Sequence, residues 1–414
     1  MSCAEGESTM QHTRATGFVS LPVLLLVALG FVLGCSEFII LGVEPDIAAS
    51  LNVPLASVGN LVGLFAGVYA ICTPTLGILT GRARRYSLLA CYLAVFCVGN
   101  LLNALAPSYE VLLVGRIVTA SVSGSLLAVG LTFVADLVDQ RHQPLVISWV
   151  YSGFSVASVL GVPAGTMVGE LLGWNVALGI VFALGLALSV ALLAVLPRSG
   201  SADTPVGIRQ QLSIFTEPRI LVIMGIMLFS AAGTYVFYTY ISPYLEGPLG
   251  LTTAGASTLL MAMGVATLVS NLSSGVVASR FGVPGLIPSE LLHALLLASL
   301  FLTSASVPLC LANILLIGLV MYLPNSPIAT ELLTVAGRRH PGSETLASSL
   351  QPMSFNIGIA LGSALGGAMM GGPGFPALGP VGALAALASC GLGIVFLLVR
   401  RAEAARAGME PSCR

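Results

Sequence analysis

Long apolar stretches alternate along the chain with short polar breaks, and their lengths decide the reading. Charge-free intervals run over Tyr86–Tyr109, Ile117–Ala135, His142–Gly169, Leu171–Pro197, Ile220–Leu245 and Gly247–Ser279. Two longer ones, Leu291–Thr330 and Thr345–Val399, are each divided by turn signals, SASVP near Val307 and GGPGFPALGP near Pro376, where Gly and Pro interrupt helices. A helix that crosses a bilayer needs roughly 20 mostly apolar residues, because lipid offers backbone N–H and C=O groups no partner. The pattern predicts twelve spans near 17–43, 56–80, 86–106, 109–134, 144–169, 174–197, 219–245, 253–279, 284–305, 307–330, 345–370 and 378–400.

The polar breaks then give an orientation. Every one of the sixteen cations is arginine. Arg14 precedes the first span; Arg82, Arg84 and Arg85 follow the second, Arg141 the fourth, and Arg198, Arg209 and Arg219 the sixth. Arg280 follows the eighth, Arg338 and Arg339 the tenth, and Arg400, Arg401, Arg406 and Arg414 the twelfth. The opposite breaks collect Glu44, Asp46, Glu110, Glu170 and Glu246 instead. Short loops that keep their arginines stay in the cytoplasm, so both termini are expected there and the chain is expected in the plasma or inner membrane. The first apolar segment is too long for a cleavable signal peptide, and no A-x-A site follows it.

Composition agrees. Charged residues make up 8% and hydrophobic ones 56%, with a mean hydropathy of +0.99, whereas soluble domains carry about 25% charged residues. The eight cysteines include no C-x-x-C pair and read as small apolar packers rather than ligands. No metal, cofactor or nucleic-acid partner is expected. Protons, a small-molecule substrate and the lipid bilayer are.

The chain also divides in two. Arg198–Arg219 (RSGSADTPVGIRQQLSIFTEPR) is the long internal polar interval, and it reads as an interdomain linker. GILTGRARR from Gly77 is echoed by GVVASRFG from Gly275, and GFSVASVLGVPAG from Gly153 by FNIGIALGSALGG from Phe355. The reading is an all-α membrane protein with twelve transmembrane helices in two six-helix pseudo-symmetric halves: residues 1–197, a linker at 198–218, residues 219–400 and a tail at 401–414. Parallel repeats of this kind mark major facilitator transporters.

Several motifs make the likeness specific. Ser36 opens S-E-F-I-I-L-G-V-E-P-D-I-A, which resembles the T-E-F-x-x-x-G-L-L-P-x-I-A of the arabinose-efflux and chloramphenicol-exporter subgroup of drug:proton antiporters, within the major facilitator superfamily. Gly153, Gly161, Pro163 and Gly165 fill the antiporters' fifth-span pattern G-x-x-x-x-x-x-x-G-x-P-x-G, and Arg116 and Ser354–Gly358 match spans four and eleven. Departures are informative too. Gly81 and Ser279 stand where the superfamily loops have aspartate, and Ser123 stands where the subgroup often has histidine. A histidine proton switch there is excluded.

The resemblance implies proton-coupled efflux of a small organic molecule by alternating access. Glu37 ends a charge-free run of 22 residues that starts after Arg14. From spacing alone it reads as an interfacial carboxylate within about 9 Å, two turns, of water; the S-E-F match implies instead a protonatable group in the central cavity. Arg116, six residues past Glu110, implies the second proton-coupling group. An arginine there needs an acidic or carbonyl partner, for which Glu37 is the candidate. Arg82, Arg84, Arg85 and Arg280 set topology, and the resemblance adds a gating role. Gly153, Gly161, Pro163 and Gly165 read as helix-packing positions. Ser123, Tyr235, Tyr238, Asn271, Tyr322, Asn325 and Asn356 are candidate cavity residues, Tyr240 and Tyr244 an aromatic belt, and Asp46 a helix-end or loop carboxylate. Glu290, His293 and Glu331 are expected near water at the cytoplasmic ends.

An enzyme is disfavoured: the spans hold no D-D-x-x-D, no H-E-x-x-H and no nucleophile elbow. A sensor would normally carry a long soluble segment, which is lacking here. A passive, sugar or nucleoside exporter of the same fold stays open. One monomer suffices for the mechanism.

Overall fold

The computed structural model describes residues 20–80, 83–139, 143–198, 213–339 and 344–408, and those residues form helices and turns with no strand. The first half comprises α1 (Leu21–Phe38), α2 (Ile40–Leu51), α3 (Leu55–Thr80), α4 (Arg85–Ala104), α5 (Tyr109–Thr132), α6 (Val134–Leu137), α7 (Gln143–Val156), α8 (Val162–Leu172) and α9 (Trp174–Val195). The second comprises α10 (Pro218–Tyr238), α11 (Ile241–Glu246), α12 (Thr253–Arg280), α13 (Leu286–Thr303), α14 (Val307–Val320), α15 (Asn325–Arg339), α16 (Glu344–Met370) and α17 (Leu378–Gly408). Together they supply 12 helical stretches long and apolar enough to cross a membrane.

The first span differs from expectation. It does not end near 43 but continues as α2 to Leu51, so Glu44 and Asp46 are helical. The tenth likewise runs on to Ala336. The seventh closes at Tyr238, and the chain turns at Thr239–Tyr240 before α11.

The halves meet where α3 packs on α16, α7 and α8 on α12, and α2 on α11. Small residues allow the close approach. A side chain at Gly63 would run into the Ser363 Cβ at 2.9 Å and the Ala360 carbonyl at 3.1 Å, and one at Gly264 would run into Val159. Ser242 Oγ of α11 donates to the Leu41 carbonyl of α2 at 2.6 Å. The Gly264 contact lies nearer the middle of α12, and the Gly63 and Ser242 contacts towards the end with the arginine-free loops. One apolar core, including Leu41, Val43, Tyr240, Leu245 and Met263, crosses between the halves there. At the opposite end each half has its own core, around Leu26 and Phe96 in the first and around Ile223 and Leu332 in the second. Gly77 and Gly275, which open the two repeated arginine loops, have nothing within 4 Å of where a Cβ would stand. Among the described residues, a core shared by both halves closes one end, and at the other each half keeps its own core.

Candidate functional site

The interruption between α1 and α2 builds the centre of the site. At Ile39 the helix is broken, and the Ser36 and Glu37 carbonyls lose their helical partners. Arg116 of α5 supplies replacements: Nη1 donates to the Ser36 carbonyl at 2.5 Å and Nη2 to the Glu37 carbonyl at 3.0 Å. Its guanidinium also stacks on Phe65 of α3, 4.1 Å from the ring centroid, an interaction worth about 2 kcal/mol when desolvated. Ser36 Oγ donates to Asn100 of α4 at 2.8 Å. Three helices, α3, α4 and α5, therefore hold one helix break.

Glu37 accepts from Arg116 through its carbonyl oxygen, and the guanidinium also acts electrostatically on its carboxylate. Among the described residues no carboxylate forms an ion pair with Arg116. Glu37 is 7% exposed; it lies within electrostatic reach of Tyr69, Tyr235 and Tyr322. The last two belong to the second half, so the carboxylate faces across the molecule.

Opposite it stands an aromatic wall. Tyr235 meets Tyr238 edge-on at 5.5 Å and Phe355 at 5.9 Å, and Phe355 meets Tyr322 at 5.9 Å. Asn325 donates to Asn271 at 3.1 Å and accepts from Gln351 at 3.4 Å, linking α15, α12 and α16. Asn356 stands apart, bonded to its own helix at Pro352 with its amide oxygen unpartnered. Ser123 is buried and donates to the Thr119 carbonyl one turn back. Tyr240 and Tyr244 do not form a belt: both are buried in the seal, because the turn at Thr239–Tyr240 swings α11 inward over it.

Gly153, Gly161 and Gly165 lie against Phe31, Cys35 and Ile39 respectively. A π turn at Ala157–Gly161 precedes Pro163, so the fifth span follows the bent first one. Among the arginine-loop residues, Arg85 donates to the Thr132 carbonyl at 3.0 Å and pairs with Asp136 at 3.4 Å. Arg84 and Arg280 are exposed, and Arg82 and Gly81 lie outside the described residues. Arg339 bridges Glu217, at 2.8 Å, and Glu403; these carboxylates, Glu217 first, hold its guanidinium above the ordinary arginine value.

The sequence profile of the Major Facilitator Superfamily matches residues 26–343. The chain belongs to this superfamily. It is 31% identical over 84% of its length to the uncharacterized MFS-type transporter YtbD of Bacillus subtilis (strain 168), covering 88% of that protein. The chloramphenicol resistance protein of Streptomyces lividans is 28% identical over 85% of this chain and 89% of its own. The crystal structure of a bacterial homologue of the human lysosomal transporter Spinster superposes with a TM-score of 0.69 at 18% identity, covering 93% of this chain and 95% of that one. The fold is thus the major facilitator fold, and the protein is a multi-pass membrane transporter.

Two features of this superfamily member escaped the sequence. Glu290 and His293 do not reach water near a helix end; each is about 1% exposed. Glu290 accepts from Ser230 of α10 at 2.8 Å, His293 Nε2 lies 3.3 Å from the Thr234 hydroxyl, and the two side chains approach to 3.9 Å. Their i, i+3 spacing was visible, but the partners on α10 were not. The second is Glu44, which has no accessible surface; its one signal is that it replaces an apolar residue of the subgroup motif.

Proposed function

We propose that this transporter expels a small organic molecule from the cell in exchange for protons, by alternating access. Residues 1–197 and 219–400 act as the two moving bodies, 198–218 connects them, and 401–414 is a tail. The arginine distribution supports placing both termini in the cytoplasm. The end with separate cores then faces inward and the shared seal outward. The observation that carries the reading is Glu37: a carboxylate in a broken span, with a remnant of accessible surface and no ion pair, facing Tyr235 and Tyr322 of the other half. A buried carboxylate whose charge Arg116 offsets without pairing with it remains costly between helices. Once Glu37 has released its proton inward, the halves close over the site only after a substrate donor or a new proton compensates it, and that rule couples the two fluxes. The relative named for chloramphenicol resistance supports an antibiotic-like cargo. Tyr235, Tyr238, Tyr322 and Phe355 suit a flat organic face, and Asn271, Asn325, Asn356 and Ser123 suit its polar groups.

Proteoliposomes that are acid inside, with chloramphenicol as the first probe of a panel, test this. Substrate should accumulate as protons leave, and an uncoupler should abolish the accumulation. Accumulation that survives the uncoupler leaves facilitated export as the better account. Orientation is checked separately. Cysteines at Asn52 and Ser108 should react with an impermeant thiol reagent on intact cells, and one at Ala83 should not.

A further inference from the structure

Because α2 prolongs the first span, Glu44 stands inside the seal between the halves. It has no accessible surface, and neither carboxylate oxygen has a hydrogen-bond partner. Among the described residues no cation pairs with it. Its electrostatic neighbour is Tyr240, at the turn between α10 and α11, whose own hydroxyl is buried and unpartnered. Tyr240 is wedged against Gly59 of α3 and Gly366 of α16, so the Glu44 pocket is walled by both halves.

Two residues on, across the α2 axis from Glu44, Asp46 interacts with Glu170 of α8, and Glu246 of α11 interacts with both. Burial, and then repulsion from Asp46 and Glu170, pushes Glu246 above the ordinary carboxylate range. Of the other elements packed on α2, α1 brings Glu37 and Cys35, α3 brings Tyr69 and Cys72, and α9 brings no titratable group. Tyr109 of α5 approaches Tyr240 and donates to the Ser57 carbonyl at 2.9 Å. Arg116, the arginine on this side, is committed to the Ser36 and Glu37 carbonyls.

A carboxylate without a partner in such a place is expensive as an ion and tolerable as an acid. We propose that Glu44 is a proton-operated latch of the outer seal: the halves close over it as the neutral acid, and exposure to water on opening lets it ionise and holds the seal open. Its proton comes from the outer water and returns there, so the latch senses external pH without itself carrying protons across. The proposal rests on the alternating-access reading but not on proton-driven export. The sealed form binds one proton more than the open form; lowering the pH therefore favours closure and raising it favours opening, by up to about tenfold in population per pH unit.

Spin labels at Ser50 and Ala254, exposed residues of α2 and α12 on opposite sides of the seal, read its width in nanodiscs. The native cysteines are first replaced by alanine or serine. Between pH 5.5 and 8.5 the parent distances should lengthen, while Glu44→Gln and Glu44→Leu stay short throughout. Leucine serves as the second variant, because the subgroup motif is apolar there. A parent that does not respond overturns the latch, as does a response that survives both Glu44 variants. A response lost in Glu246→Gln but kept in Glu44→Gln assigns it to the rim instead. The readout needs neither substrate nor gradient, so it stands apart from the export assay.

Discussion

The first span of each half breaks at a comparable depth, at Ile39 and at Thr239, 200 positions apart, yet the two breaks are held by different chemistry. In the first half a guanidinium occupies the gap and bonds two freed carbonyls. In the second no charge is used: the Thr239 hydroxyl pairs with Ser363 at 2.8 Å, and the Tyr240 ring settles among glycines. Asn313, the polar residue six positions into α14 as Arg116 is seven into α5, turns away from the break and bonds Leu296, Ser299 and Thr303 of α13. A bent span can be stabilised by small residues and a hydroxyl pair. Charge was added in the half that also carries Glu37, and this is why we assign proton sensing to the first half and substrate shape to the second.

The sharpest way to break that contrast is Arg116→Leu. It strands two buried carbonyls at about 1–3 kcal/mol each, so the purified protein should melt at a clearly lower temperature and export should vanish. Retained pumping with unchanged melting would erase the distinction between the halves. Glu37→Gln comes next. It keeps shape and removes titration, so proton-driven accumulation should fall at least tenfold while melting and substrate binding persist. A change below about twofold, measured at matched membrane expression, would mark the residue as a solvated bystander. Thr239→Val tests the other break. Loss of one neutral hydroxyl pair costs about 1 kcal/mol, and export should stay within about twofold. The smallest effect belongs to Arg85→Ala at the end with separate cores. The ion pair with Asp136 is partly exposed and worth under about 1 kcal/mol, so its loss should register in melting and hardly in transport.

The twelve spans were legible because lipid forbids unpaired backbone: once about 20 charge-free residues accumulate, helix is the available answer. Their limits were less so. By Leu41 the first interval was already long enough, so the charges at Glu44 and Asp46 read as loop; only packing against α8, α3 and α11 draws the helix on to Leu51. Ile39 itself is neither Gly nor Pro, although Gly42 and Pro45 follow it closely; an acidic or carbonyl partner was expected for Arg116, and Glu37 supplies the carbonyl. Tyr240 and Tyr244 followed the usual belt composition and were turned inward by the bend at Thr239, whose local signal is Pro243 four residues on. Glu290 and His293 were misplaced for a different reason: Ser230 and Thr234, which satisfy them, lie about 60 residues away in the chain.

The way Arg116 is held also bears on how the polypeptide enters the membrane during synthesis. A guanidinium delivered alone into a span's apolar part disfavours insertion by about 2.5–3.5 kcal/mol when central, and its acceptors sit on a segment made some 80 residues earlier. Pairing of the fourth span with the first offsets that cost, because the Ser36 and Glu37 carbonyls take up the guanidinium. A chain truncated after α5 should insert its last span efficiently, and one that also lacks α1 should do so poorly unless Arg116 is replaced by leucine.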